Sequence, residues 1–353
     1  MRRSPKGDPS AALAMLQRAV QHYAAGDEEI VKMQARAQEP RERIGSIYGY
    51  TKVGIVHFKA FPGTERGEGP IVETLTKIAE DDFFTAVEVG WMRDPRVRNS
   101  ARKLLEEAHL AVYYATQPAM LTQKLNINAL DPAERKRAIS QVKNCINEAY
   151  DLGAKAVRLI AGKDPGPEKR PEAMKLLVDS IHQICDYAKQ EGEIDITLKI
   201  FDRDIDKESL IGPFTDALAI AQEVAKEQPR FGLLADLSHF PLLREKPEES
   251  IPLIRQYLKH AQIGNCIMRD RRHPAYGDLQ PRFGMEGGEI DTKEVAHYFG
   301  VLWDNGFFHQ EEMPVISAEV RPLLAGEKEE VILANSKRVI KEAWAMFQRS
   351  RSL

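Results

Sequence analysis

The chain has 353 residues, 43% hydrophobic and 29% charged, with a formal net charge of −3. That size suits one large domain or two smaller ones, and the near-neutral charge offers no broad attraction for nucleic acid or an anionic membrane. No apolar run reaches the roughly 18 residues needed to span a bilayer, and "MRRSPKGDPSAALAMLQ" lacks the apolar stretch of a secretory signal. The three cysteines, Cys145, Cys185 and Cys266, lie far apart without C-x-x-C spacing, so neither a disulfide framework nor a zinc knuckle is indicated. These features predict a cytoplasmic protein whose partner is a small-molecule substrate, with no nucleic acid and no membrane.

In chain order, residues 1–45 predict a helical extension, with Asp8 or Ser10 as a cap and Pro9 in the first turn. Residues 46–353 predict the main domain. There, short β-rich runs alternate with helical patterns: "KVGIVHF" (52–58), "TAVEVG" (85–90), "LAVYYA" (110–115), "AVRLIA" (156–161), "ITLKIF" (196–201), "GLLADL" (232–237), "HAQIGN" (260–265) and "PVISAEV" (314–320). The last helical pattern repeats apolar or small residues at Ile332, Ser336, Val339, Ile340, Ala343, Trp344 and Phe347. Eight such units predict an α/β fold, a (β/α)8 TIM barrel with an N-terminal helical extension. An open doubly wound sheet is the rival; the absence of G-x-G-x-x-G and Walker loops counts against it.

Strand parity selects the residues that face the barrel axis. In the fifth strand Ile196, Leu198 and Ile200 share the helix-facing side, which leaves Thr197, Lys199 and Phe201 inward. The same rule turns His57, Lys59, Glu88, Arg158, His260, Gln262, Ser317 and Glu319 inward, with Asp236 at the end of the sixth strand. Ionised groups removed from water need partners. A purely structural barrel fills its axis with branched aliphatics, so this polar set predicts a site, against the alternative of a self-satisfied salt-bridge network. The loop "GKDPGPEKR" (162–170), rich in glycine and proline, predicts a mobile cover for the mouth.

At "LADLSHFPLL", "HAQIGNC", "YGDLQPRFG" and "ISAEVRP" the sequence resembles the sugar phosphate isomerase/epimerase family with the xylose isomerase-like barrel, over residues 46 to 347. Within that family "KVGIVHFKAFP", "GKDPGPEKR" and "DIDKESLIGP" are most similar to the catalytic subunits of C-glycoside deglycosidases. The resemblance implies a divalent ion, often manganese, held by Glu, Asp, His and Glu from strands five to eight. Carried across, the second and fourth ligands fall on Asp236 and Glu319, which match. The first falls on Lys199 and the third on Gln262, which do not. A protonated ammonium has no lone pair, and an amide oxygen is a poor replacement for imidazole at a transition metal. No cofactor is therefore expected; a divalent metal such as manganese enters only if the degenerate site rearranges around His239 or His260.

The expected function is a metal-independent isomerase-, epimerase- or lyase-like enzyme on a small polyhydroxylated or carbonyl-bearing substrate. Lys199, Asp236, His239 and Glu319 are the expected catalytic residues; His57, Lys59, Glu88, Arg158, Gln262, Gln280 and Arg282 are the expected substrate-binding ones. The resemblance places His239 against the substrate, and it puts histidine where this chain has Gln280. Lys199 is also a candidate Schiff-base nucleophile. The alternative is a catalytically retired barrel that acts as a binding or regulatory subunit. A homo-oligomer is expected, with a hetero-subunit possible.

Overall fold

The computed structural model describes residues 44–309 and 313–352. The helical extension expected over 1–45 therefore lies almost wholly outside the described residues. Eight strands close in sequence order into one parallel barrel: β1 Lys52–Val56, β2 Ala86–Val89, β3 Ala111–Ala115, β4 Ala156–Ile160, β5 Asp195–Lys199, β6 Phe231–Asp236, β7 Leu258–Gly264 and β8 Val315–Glu319. Each overlaps one of the eight β-rich runs. Closure comes from β8 pairing with β1, with Ser317 beside Gly54, so no strand edge is left open.

The helices are α1 His57–Ala60, α2 Ile71–Ala79, α3 Pro95–Glu107, α4 Gln117–Thr122, α5 Pro132–Asp151, α6 Arg170–Glu191, α7 Phe214–Val224, α8 His239–Leu243, α9 Pro247–Ile254, α10 Thr292–Asp304 and α11 Glu329–Ser352. Local sequence sets several starts. Asp94 and Asp131 accept the backbone N–H groups of Arg96 and Ala133, each ahead of a proline at the first helical position. Asp291 and Glu294 form a reciprocal capping box on α10.

The main core is the sleeve between strands and helices, built from the outward strand residues. Val53, Ile55, Val87, Val157, Leu159, Ile196, Leu198, Leu233, Ile263 and Ile316 are all essentially inaccessible to water. The face of α11 carrying Ile332, Val339, Ile340, Ala343, Trp344 and Phe347 is buried as its spacing predicts. Trp344 packs edge-on to Phe299 and Phe308 there. All three cysteines are free and buried, and burial pushes the Cys145 and Cys185 thiols up to about 12. Among the described residues, no helix is long and apolar enough to cross a membrane.

Two local expectations are corrected. β1 ends at Val56 and the chain turns into α1, so strand parity stops before His57. His57 instead bonds Thr74 on the outer helix α2 through Nε2 at 2.7 Å and packs on Phe61. Burial with no anionic partner lowers its pKa to about 3. The loop 162–170 is also fastened at its start. Gly162 donates to the Asn128 side chain at 2.6 Å, Asp164 N–H to Glu208 O at 2.8 Å, and Arg170 clamps Asp164 at 2.5 Å. These bonds join the loops after β4 and β5 into a rim rather than leaving a free flap.

Candidate active site

The inward ends of the strands meet in a continuous buried polar cluster. Lys199, the last residue of β5, donates to Asp236 Oδ2 at 2.8 Å and to Glu319 Oε2 at 2.6 Å, and all three side chains are wholly buried. Burial disfavours the ammonium, but the adjacent Asp236 and Glu319 charges outweigh it and raise the Lys199 pKa. The same balance runs the other way for Glu319. Burial works against ionisation, yet Lys199, Arg158 and Lys59 hold its carboxyl well below the usual range.

A second knot lies beside the first. Glu88 Oε2 stands 2.8 Å from Arg158 Nη1, Glu88 Oε1 accepts from His260 Nε2 at 2.9 Å, and the Gln262 amide donates to both Glu88 oxygens at 2.9 and 3.0 Å. Burial opposes this carboxylate, but Arg158, His260 and Gln262 together bring its pKa down to about 2. Arg158 links the knots, reaching Glu319 Oε2 at 3.5 Å and Gln117 Oε1 at 3.4 Å. Gln262, at the third of the four positions where the resemblance places ligands, does not bond Lys199; its N–H donors turn to Glu88 instead.

The rim is formed by loops at the C-terminal ends of the strands. His239, at the start of α8, packs edge-on to Phe201 at 4.8 Å and lies 3.9 Å from Asp236 Oδ2 and 3.7 Å from Asp278 Oδ2. Lys207 approaches Asp278 at 3.0 Å. Lys59 is buried within 4.0 Å of Glu65 and under the influence of Glu319 and Asp278; burial nevertheless lowers its pKa. Asp278, Asp202, Lys207 and Gln117 are additions that strand parity cannot find. Their only sequence signal is position, since they follow β7, β5, β5 and β3 respectively.

Asp202 organises the rim. Its carboxylate accepts the backbone N–H groups of Ile205, Asp206 and Lys207 at 2.7–3.2 Å and lies 4.0 Å from His239 Nδ1. Asp202→Ala strands three donors, so the loop is expected to lose about 1–3 kcal/mol of local stability. Hydrogen exchange should then quicken at residues 205–207 while the strand amides keep their protection. Arg282 departs from its expected place: it pairs with Glu327 at 3.2 Å on the loop after β8, partly exposed and away from the cluster.

Several buried polar atoms in the cluster have no hydrogen-bond partner among the described residues: both His239 nitrogens, Asp278 Oδ1, both Gln280 side-chain polar atoms, Gln262 Oε1, Glu319 Oε1 and Gln117 Nε2. Natural interiors carry few such atoms, and a concentration of them marks a place built for another occupant. Gln280 also holds a left-handed backbone at φ 57°, an uncommon conformation for a non-glycine residue, while its carbonyl accepts from Arg321 N–H at 2.8 Å.

The four positions where the resemblance places metal ligands do not fit a divalent ion. Two of the side chains are carboxylates already bound by the Lys199 ammonium, the third is that ammonium, and the fourth offers one amide oxygen. Among the described residues, no group of three or more His, Cys, Asp or Glu side chains is arranged to hold a metal.

A family model for the xylose isomerase-like TIM barrel matches residues 75–298, and the chain belongs to that family. No curated protein matches. Among solved structures, a D-tagatose 3-epimerase-like protein superposes with a TM-score of 0.63 at 17% identity, covering 85% of this chain and 99% of the other. An L-ribulose 3-epimerase gives 0.64 at 16% identity, covering 85% and 96%. D-psicose 3-epimerase from Clostridium cellulolyticum H10, solved with D-tagatose, gives 0.62 at 14%, covering 84% and 99%. At these identities the superpositions establish the shared barrel.

Proposed function

We propose that this chain is a sugar isomerase- or epimerase-like enzyme that moves a proton beside a carbonyl of a small polyhydroxylated substrate, with Lys199 supplying the positive charge that the resemblance assigns to a metal. The observation that carries this reading is the Lys199 ammonium held between Asp236 and Glu319 at 2.8 and 2.6 Å. An ammonium has three N–H donors, and these bonds use two. The third is left for a substrate oxygen, where it would stabilise the oxyanion formed as the adjacent carbon loses its proton.

The proton needs an acceptor. Glu319 is a weakened base because its cationic neighbours favour the carboxylate so strongly. His239, with neither ring nitrogen hydrogen-bonded, keeps a lone pair free in its neutral form and is the better general base. In isomerisation it would return the proton to the neighbouring carbon on the same face; in epimerisation a second acid on the opposite face would have to deliver the proton. Gln280, Gln262 and Gln117 offer donors and acceptors suited to hydroxyls. The Schiff-base role for Lys199 loses ground, since two carboxylates favour the ammonium over the nucleophilic amine.

The names of the structural neighbours, 3-epimerases of ketoses, support the substrate class. The test is NMR-detected exchange of carbon-bound hydrogen in deuterated water over a panel of ketoses and keto-sugars. Turnover should fall by about 100-fold or more in Lys199→Ala and in Glu319→Ala, with the fold checked by circular dichroism. Turnover that survives both substitutions, or stoichiometric manganese, zinc or cobalt in the purified protein, would overturn the reading. Absence of exchange across the whole panel would favour the retired barrel.

A further inference from the structure

A cavity of about 1010 Å3 opens at the other end of the barrel, where the strands begin. Its wall is made by the first residues of five strands, Lys52, Ala111, Ala156, Asp195 and Val315. One pleat deeper lie Tyr113, Thr197 and His260. This face of a barrel ordinarily serves stability, with branched aliphatics filling the axis. Here alanine stands at 111 and 156, and polar side chains form the floor.

Among the described residues that line the opening, the charges do not cancel. Glu193 and Asp195 are neutralised by Arg230, at 2.6 and 3.4 Å, and by Lys259, 3.1 Å from Asp195. Lys259 is held in that position because its stem crosses the bare Cα of Gly232, where a Cβ would come within 2.7 Å of it. Lys52 and Lys155 line the same cavity with no carboxylate at ion-pair distance among the described residues. Among the described lining residues, two cations are thus left in excess. At the floor, Thr197 is 1% exposed and its Oγ1 has no hydrogen-bond partner. A buried hydroxyl left unsatisfied is unfavourable unless something fills the space beside it.

We propose that this cavity is a second binding site, opening at the opposite end of the barrel from the C-terminal cluster, for a small molecule bearing an oxyanion, either phosphate or carboxylate. Lys52 and Lys155 supply the charge at the entrance, and the Thr197 hydroxyl donates from the floor. The inference stands apart from the proposed reaction, since it uses none of the residues assigned to proton transfer.

Calorimetric titration of the full chain with inorganic phosphate and, separately, with citrate tests the site and distinguishes the two oxyanions. At least one should bind saturably. The Lys52→Ala/Lys155→Ala double variant should weaken that binding about ten-fold or more, while Lys52→Arg/Lys155→Arg retains it. Thr197→Val, which keeps the shape and removes the donor, should weaken binding as well. A crystal soaked in the binding anion should show it at the strand N-termini. No saturable binding of either anion, undiminished binding in the alanine double variant, or an anion found only at the C-terminal cluster would overturn the proposal.

Discussion

Lys199→Ala is expected to lower the unfolding free energy by about 3–5 kcal/mol at neutral pH, because it leaves Asp236 buried without its ammonium and Glu319 with only the longer Arg158 contact at 3.5 Å. The stem contributes as well as the charge. Lys199→Met fills most of the volume, so the difference between the two variants measures the cavity and the remainder measures the lost ammonium. The pH dependence supplies the sign. In the wild type the depressed Glu319 carboxyl, held down largely by Lys199, contributes stability that is present above its unfolded pKa and lost as pH falls through the folded one. Removing the ammonium removes much of that contribution. The deficit of Lys199→Ala should therefore be greatest near neutrality and shrink as the pH falls below about 4. Urea denaturation of wild type and variants at stepped pH reads this directly, and a deficit independent of pH would mean that the ammonium is not what holds the two acids.

Glu88, together with Glu319, should shape the acid limb of the wild-type stability curve. Its folded pKa of about 2 lies below an ordinary value of 4.5. That depression contributes about 3 kcal/mol, present above the unfolded pKa and lost as the pH falls through the folded one. The window thus runs downward from 4.5 to about 2. Glu88→Gln should flatten stability across that window. At neutral pH it should cost a comparable amount, because Arg158 loses its 2.8 Å partner and His260 and Gln262 lose a charged acceptor. An acid limb of unchanged depth in the variant would assign that limb to other carboxylates.

The barrel was legible because each strand is a short run of β-branched and aliphatic residues set between turn-forming or charged segments. Parity then worked wherever the strand lasted: Glu88, Arg158, Lys199, Gln262 and Glu319 all face the axis. It failed at His57 because α1 begins there and the two-residue alternation gives way to a helical one. Loops carry no periodicity at all. Arg282 and Asp278 lie four residues apart in "YGDLQPRFG", yet one reaches outward to Glu327 and the other inward to Lys207 and His239. The left-handed turn at Gln280, between them, redirects the chain. Periodicity also could not show that loop 162–170 is anchored, since its glycines indicate backbone freedom and the tethers come from Asn128 and Glu208, far away in sequence.

The separation of the apolar sleeve from the polar axis has a consequence for how this protein tolerates change. Cohesion resides where Ile196, Leu198, Leu233 and Ile316 meet the helices, whereas a buried ionic network adds little net stability beyond what its own desolvation removes. Coordinated exchanges along the axis that preserve charge balance can accumulate without loosening the scaffold. A lineage on this architecture is free to trade one chemistry for another through paired substitutions, while a single change at an outward strand position meets immediate selection against misfolding.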